Sequence, residues 1–266
     1  MYLETLSITH MTKFREMFIP TIAVCALGSF GGVSFTQSDP IVFHSDDGHF
    51  KYVLHNGLTP SDVEQSTSIL EEYYERVRSD LNVESVPQTT VTIWNDSESY
   101  YLVQEETTGQ RFEGSGGYAW WGEIPELKLR HSARRGAAIG ALHEYAHIVT
   151  MVRNKSIPNN PRWLWEAIAI YATRDILSSD PEVPEFISNR DYPSLDELTV
   201  GFNSADERRN IYDLGYFIGD YIVLNWGIEA LGDLVESNGN IPDTLDISVK
   251  EFERGLENYF EEHYLN

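Results

Sequence analysis

Cysteine is almost absent from this sequence. Cys25 is the only one among the 266 residues, and it lies inside an apolar stretch near the N-terminus. The chain that follows this stretch therefore contains no thiol. The lack of cysteine excludes disulfide bonds, a cysteine nucleophile and cysteine ligands to a metal from residues 37–266.

Positive charge is scarce as well. The chain has 19 lysines and arginines against 42 aspartates and glutamates, which gives a formal net charge of −23. Such a surface repels a phosphate backbone, so we expect no nucleic acid among the partners. A dense carboxylate surface is typical of adaptation to high salt, and it is equally compatible with an ordinary acidic exported protein. Composition leaves both interpretations open.

Long apolar runs are missing beyond the N-terminus, and no segment repeats or is low in complexity. Lys13 and Arg15 precede the apolar residues 17–32, a pattern that predicts a secretory signal. Residues 1–36 are therefore interpreted as a signal peptide, with an uncleaved membrane anchor as the alternative. In either case we expect a secreted or extracellular protein that contacts a membrane only through this segment.

The most informative stretch that is present reads His143-Glu144-x-x-His147. Two histidines four residues apart project from the same face of a helix and can bind one cation. Glu144 can then reach a water activated by the metal, which makes it a candidate general base. The surrounding segment 132–152 is rich in alanine and contains no proline, so a mostly buried helix is predicted.

Glu166 is the candidate third ligand. Prolines at positions 158 and 161 break the chain, and a second helix that carries Glu166 is predicted to begin near Pro161 or Arg162. Three protein ligands leave a fourth position open, which is the arrangement of a catalytic zinc ion. The sequence therefore predicts one Zn²⁺ ion bound by His143, His147 and Glu166.

These motifs resemble those of the gluzincin metallopeptidases. Glu166 follows His147 after eighteen residues, and it lies in the segment 163–171, which reads WLWEAIAIY. This segment is similar to the Trp-Leu-x-Glu-(Gly/Ala)-x-Ala-x-Tyr pattern of the aminopeptidase branch. Ala167 stands where glycine is usual, and Trp165 stands where asparagine is frequent. The resemblance covers residues 114–226, roughly half of the chain, and it implies hydrolysis of peptide bonds.

The resemblance implies further roles outside the ligand set. Residues 212–215 read Tyr-Asp-Leu-Gly and resemble a segment whose tyrosine donates a hydrogen bond to the oxyanion, a role that passes to Tyr212. In this family the backbone of the substrate pairs with the edge of the strand beside the zinc helix. The substrate-binding residues implied here are Gly117, Tyr118, Ala119 and Trp120. Ala119 occupies the place of the glutamate that holds a free amino terminus in aminopeptidases, which favours an endopeptidase.

The periodicity of the chain predicts an α+β fold. We expect an α/β lobe at 37–130, active-site helices at 131–174 and a helical lobe at 175–266. The resemblance implies a thermolysin-like or gluzincin-like catalytic domain, in which a small mixed-sheet lobe and a helical lobe flank the zinc helix at a cleft. Strands are predicted at 50–54, 89–94, 118–121 and 127–130. Helices are predicted at 61–81, 97–106, 132–152, from 161 or 162 onward, and at 194–198, 207–226, 228–236 and 248–263.

Aromatic and histidine side chains outside the ligand set are ambiguous. Tryptophans near the motifs either line the cleft and contact substrate or pack in the core. These are Trp120, Trp121, Trp163 and Trp165. Histidines without a motif are interpreted as ordinary surface or turn residues. These are His44, His49, His55 and His263.

Together these patterns predict a zinc-dependent peptidase with Glu144 as general base and Tyr212 as oxyanion donor, acting on a peptide or protein substrate. An alternative from a different class is a zinc-bearing but catalytically inactive module that captures peptides at the exposed strand. Hydrolysis of a non-peptide bond at the same zinc ion is a third possibility that the sequence leaves open.

Overall fold

The structure is a computed structural model that describes residues 39–131, 137–177, 181–199 and 211–265. These residues all belong to one contact unit, Gln37–Asn266. The predicted signal peptide or anchor at 1–36 lies outside the described residues. Within the described ranges, each helix is too short or too polar to cross a membrane.

A five-stranded mixed sheet forms the N-terminal half. In chain order its strands are β1 (Ile41–His44), β2 (Phe50–His55), β3 (Thr89–Trp94), β4 (Gly117–Trp121) and β5 (Pro125–Arg130). The order across the sheet is β1-β2-β3-β5-β4. The central strands β2, β3 and β5 are parallel, whereas β1 and β4 pair antiparallel at the two edges. The α+β class predicted from the sequence is therefore confirmed.

Nine helices accompany the sheet in the part of the chain that the structure describes. They are α1 (Glu64–Asp80), α2 (Ser97–Thr108), α3 (Ala137–Arg153), α4 (Arg162–Tyr171), α5 (Glu185–Ser188), α6 (Ile211–Trp226), α7 (Glu229–Glu236), α8 (Ile241–Leu245) and α9 (Val249–His263). The predicted starts of two helices, at 132 and 207, fall outside the described residues.

Five elements differ from the sequence prediction. The first predicted helix begins at Glu64 rather than at position 61, because Pro60–Asp62 forms a separate 3₁₀ turn in which Asp62 accepts from the Thr59 backbone N–H. The segment predicted as a helix at 194–198 is a 3₁₀ turn, Glu197–Thr199. Strand β1 and the short helices α5 and α8 were not predicted. Strand β1 is largely exposed and lacks the alternation of a half-buried strand.

Strand alternation divides the core into two parts. On one face of the sheet, β2, β3 and β5 pack against α1 and α3 through buried side chains such as Tyr52, Ile93 and Leu127. On the other face, α2 packs over Trp94 through Tyr100. Helix α3, which carries the histidine motif, therefore lies directly against the sheet, where it contacts β4 and β5.

Helices α4 and α6 form the most extensive helix–helix contact. Glycines at one-turn spacing on α6 make it possible. A Cβ atom at Gly215 would lie 2.5 Å from Cδ1 of Ile170 and 3.1 Å from Cα of Ala167, and one at Gly219 would lie 2.6 Å from Cβ of Tyr171. The backbone of α6 therefore approaches α4 more closely than any side chain would allow.

We expect Gly215→Ala to lower the free energy of unfolding by about 1–3 kcal/mol, because the added methyl group overpacks the contact with α4. The matched control is Gly140→Ala, a substitution within α3 whose Cβ would meet nothing within 4 Å. This control is expected to gain about 0.5–1 kcal/mol from the higher helix propensity of alanine. Urea unfolding of both variants checks the prediction, and equal changes in the two would contradict it.

Candidate metal centre

Helices α3 and α4 bring the three predicted ligands together. His143 and His147 lie one turn apart on α3, with ring centroids 4.8 Å apart and rings nearly perpendicular. Glu166 lies on α4, and its Oε2 is 3.3 Å from Nε2 of His143 and 3.8 Å from Nε2 of His147. His147 and Glu166 are buried, with 4% and 3% of their surface exposed. The three donor atoms thus surround one point.

These separations suit metal ligands better than hydrogen-bonded partners. Tetrahedral ligands about 2.0–2.1 Å from a zinc ion lie about 3.3 Å from one another. Oε2 of Glu166 is buried, yet it finds no aligned hydrogen-bond donor among the described residues. A buried carboxylate oxygen without a donor is costly unless a cation occupies the space in front of it. The ligand set therefore fits a zinc ion.

A second group of potential ligands has a different geometry. Asp47, His49 and Glu71 also place donor atoms within 4.8 Å of one another. However, Nδ1 of His49 lies only 2.7 Å from Oε2 of Glu71, which is a direct hydrogen bond. Asp47 is exposed, and the His49 ring stacks on Tyr74. His49 and Glu71 are therefore joined by a direct hydrogen bond through Oε2, whereas Oε1 of Glu71 is buried without a partner among the described residues.

The charges of the ligands are set by burial and by one another. Burial, together with the charge of His143, lowers the pKa of His147 to about 3. Burial opposes ionisation of Glu166, but the contact with His143 and the charges of both histidines and Arg162 outweigh it, and its pKa falls to about 2. A neutral imidazole and an ionised carboxylate are the forms that bind a metal.

Burial also disfavours the charged form of His143. Its contacts with Glu166 and Glu144 outweigh that effect and raise the pKa of His143 above its ordinary value. The imidazole of His143 therefore holds its proton more strongly than that of His147 does. A metal ion bound at this nitrogen takes the place of that proton.

Glu144 lies between the ligands and strand β4. It is half-buried, and burial raises the pKa of its carboxyl to about 7. A Cβ at Gly117 would lie 3.1 Å from Cγ of Glu144, and the nearby backbone of Ala119 opposes the rise in the pKa of Glu144. Strand β4 therefore packs closely against the candidate general base at Gly117, where an added side chain would crowd Glu144 and Leu129.

The four predicted substrate-binding residues all lie on β4, at the edge of the sheet. Gly117 and Ala119 face α3, as strand alternation requires. Tyr118 faces the other way, packs against the cluster around α2 and donates a hydrogen bond from its hydroxyl to the backbone oxygen of Val103 at 3.4 Å. Trp120 is 37% exposed. The Tyr118 side chain therefore does not face the ligands, although its backbone belongs to the edge strand.

Tyr212 reaches the ligands from α6. Its hydroxyl donates to Oε1 of Glu166 at 3.1 Å, and it accepts from Nη2 of Arg162 at 3.2 Å. Burial and the charge of Glu166 raise the pKa of Tyr212 well above its ordinary value. The phenol therefore remains protonated at neutral pH and can act as a hydrogen-bond donor.

Two side chains at this centre were not assigned from the sequence. Arg162, the first residue of α4, is buried beside Tyr212 and Glu166. Its position one turn before Glu166 was the available signal. Trp165 is buried and stacks on His147, with ring centroids 4.0 Å apart and nearly parallel planes. It therefore packs against a predicted ligand, whereas Trp163 packs in the core beside Phe252.

Comparison with protein-family models gives no match to this chain, and comparison with curated protein sequences gives none either.

We expect the protein without its first 36 residues to bind one zinc ion, with His147→Ala losing that ion because a buried ligand is removed. The matched control is His49→Ala, which changes the other histidine–carboxylate group and should retain one zinc ion. Elemental analysis after gel filtration measures the stoichiometry. Zinc lost from both variants or retained in both would contradict the assignment of ligands.

Proposed function

We propose that the protein is a zinc-dependent peptidase of the gluzincin type, with a thermolysin-like catalytic domain. The observation that carries the proposal is the position of Glu144. This carboxyl lies beside the three predicted ligands and packs against the edge strand at Gly117, so a base, a candidate metal site and a sheet edge meet at one place. The motif resemblance between residues 114 and 226 supports the same reaction.

His143, His147 and Glu166 would hold the zinc ion. When bound, zinc supplies Lewis acidity, which lowers the pKa of a water molecule and polarises a carbonyl group. Glu144 accepts a proton from the attacking water and passes it to the leaving amine. A carboxyl with a pKa of about 7 can both accept and return a proton near neutral pH. Tyr212, whose hydroxyl donates to Glu166 in this structure, would turn that hydrogen bond to the oxyanion that develops on the substrate.

Strand β4 supports the peptide substrate in this proposal. It is the last strand of the sheet within the described residues, so the side of its backbone away from β5 can pair with an extended peptide. Gly117 and Ala119 would align that peptide next to Glu144, and Trp120 would contact its side chains. No acidic side chain occupies the position of Ala119, which favours an endopeptidase over an aminopeptidase.

We expect Glu144→Gln to lose nearly all peptide cleavage while it still binds one zinc ion, because an amide keeps the size of the side chain but cannot accept the proton. Mass spectrometry of a diverse peptide mixture, digested at low and at molar salt, measures cleavage and gives the cut positions. Glu72→Gln, an exposed glutamate on α1, is the matched control and should cleave like the wild type.

Cleavage by the wild type and the control alone supports the peptidase. If none of the three proteins cleaves a peptide although each binds zinc, the peptidase proposal is wrong, and either the inactive peptide-binding module or hydrolysis of a bond that is not a peptide takes its place. Cleavage by Glu144→Gln at the wild-type rate would remove Glu144 from the mechanism.

We expect Tyr212→Phe to lower kcat by about 10²–10³ with a much smaller change in KM, because the lost hydrogen bond acts on the transition state. Tyr216→Phe is the matched control, since it removes a hydroxyl one turn further along α6, where the ring packs near Tyr171. Steady-state kinetics on a peptide identified in the digest measures both constants. An unchanged kcat in Tyr212→Phe would contradict the oxyanion role.

A further inference from the structure

Arg162 is a buried cation in an unfavourable place. It is the first residue of α4, and only 4% of its side chain is exposed. The N-terminus of a helix carries a partial positive charge, which disfavours a cation there. Burial of a guanidinium group adds a further cost unless its N–H groups find partners. Its position is therefore maintained by specific contacts rather than by local preference.

Among the described residues, three side chains make polar contacts with the guanidinium group. Its Nη1 donates to Oδ1 of Asn159 at 2.8 Å, in the turn that precedes α4. Its Nη2 donates to the hydroxyl of Tyr212 at 3.2 Å and lies 3.4 Å from Oε1 of Glu166. The planar fork of arginine suits this task, because its two ends can reach different partners at once. Arg162 thus connects the turn before α4 with residues on α4 and α6.

The two oxygens of Glu166 consequently have different surroundings. Oε2 faces the two histidines, whereas Oε1 faces Tyr212 and Arg162. We propose that Arg162 is a positioning residue that caps Oε1, so that Glu166 offers a single oxygen to the metal ion also when the Tyr212 hydroxyl donates to the oxyanion. The inference deepens the proposed function, on which its kinetic test rests.

Capping has a consequence for the site as a whole. A carboxylate that binds through both oxygens occupies two positions around a metal, whereas one that binds through a single oxygen leaves a position open. The open position is the one that a catalytic site needs for water or substrate. The same guanidinium group holds the Tyr212 hydroxyl beside that carboxylate. Arg162 would therefore act on coordination and on the oxyanion donor without touching the substrate.

Cobalt substitution tests the coordination directly. We expect Arg162→Met to retain one Co²⁺ ion but to lose visible absorption per ion relative to the wild type, because coordination by a second oxygen moves the ion away from tetrahedral geometry. Arg174→Met is the matched control. It removes another half-buried guanidinium, which follows α4 and pairs with Asp80, and its cobalt spectrum should equal that of the wild type.

Kinetics test the connection to Tyr212. We expect Arg162→Met to lower kcat with little change in KM. The loss of kcat in the double variant Arg162→Met/Tyr212→Phe should be at least about fivefold smaller than the product of the two single losses, since the two residues act through one contact. In the control double variant Arg174→Met/Tyr212→Phe, the two single effects on kcat should simply multiply. Thermal unfolding of every variant separates these effects from loss of the fold.

Arg162→Lys provides a second variant in case Arg162→Met fails to fold. Lysine keeps the charge, but a single ammonium group cannot span Asn159 and Tyr212, so the same spectral change is expected. Wild-type cobalt spectra in both Arg162 variants, or losses of kcat that simply multiply, would overturn the inference. If the wild type binds cobalt but cleaves no peptide, the proposed peptidase function is wrong. The cobalt spectra would then still test the role of Arg162, without the kinetics.

Discussion

The burial of the Glu166 carboxylate is the constraint on which the rest of the centre depends. Only 3% of this residue is exposed, and an ionised carboxylate in such a place is costly unless charged or hydrogen-bonding partners surround it. Its partners come from three helices: the histidines from α3, Arg162 from the start of α4 and Tyr212 from α6. The centre can therefore assemble only if these three helices pack in the correct places.

Small residues make this close packing sterically possible. Gly215 allows α6 to approach α4 closely, which brings Tyr212 within hydrogen-bond distance of Glu166. Gly117 allows β4 to approach α3, which brings its backbone against Glu144. Both glycines have ordinary backbone conformations, so the absence of a side chain, rather than backbone freedom, is what each position needs. The chain thus uses glycine where elements that carry the proposed chemistry must come together.

The sheet contributes through its edge. Parallel strands in the centre present one face to α1 and α3, and β4 closes the sheet beside the histidine motif. Because β4 packs against Glu144 at Gly117, any extended peptide that paired with β4 would run next to the proposed general base. In the proposed peptidase, the strand that pairs with the substrate backbone would thus lie beside the residue that transfers the proton. Substrate side chains would then be left to exposed groups such as Trp120.

Local periodicity was enough to predict much of this molecule from the sequence. The ligands on α3 follow from a four-residue spacing, and β3 spans 89–94 as its apolar pattern predicts, because both features depend on neighbours along the chain. Only the tertiary structure decided the order of the strands, the side of β4 that Tyr118 faces, the stacking of Trp165 on His147 and the contact of Arg162 with Tyr212. That last pair is separated by 50 residues. Such contacts depend on which faces pack together in three dimensions, and spacing along a single chain carries no record of that choice.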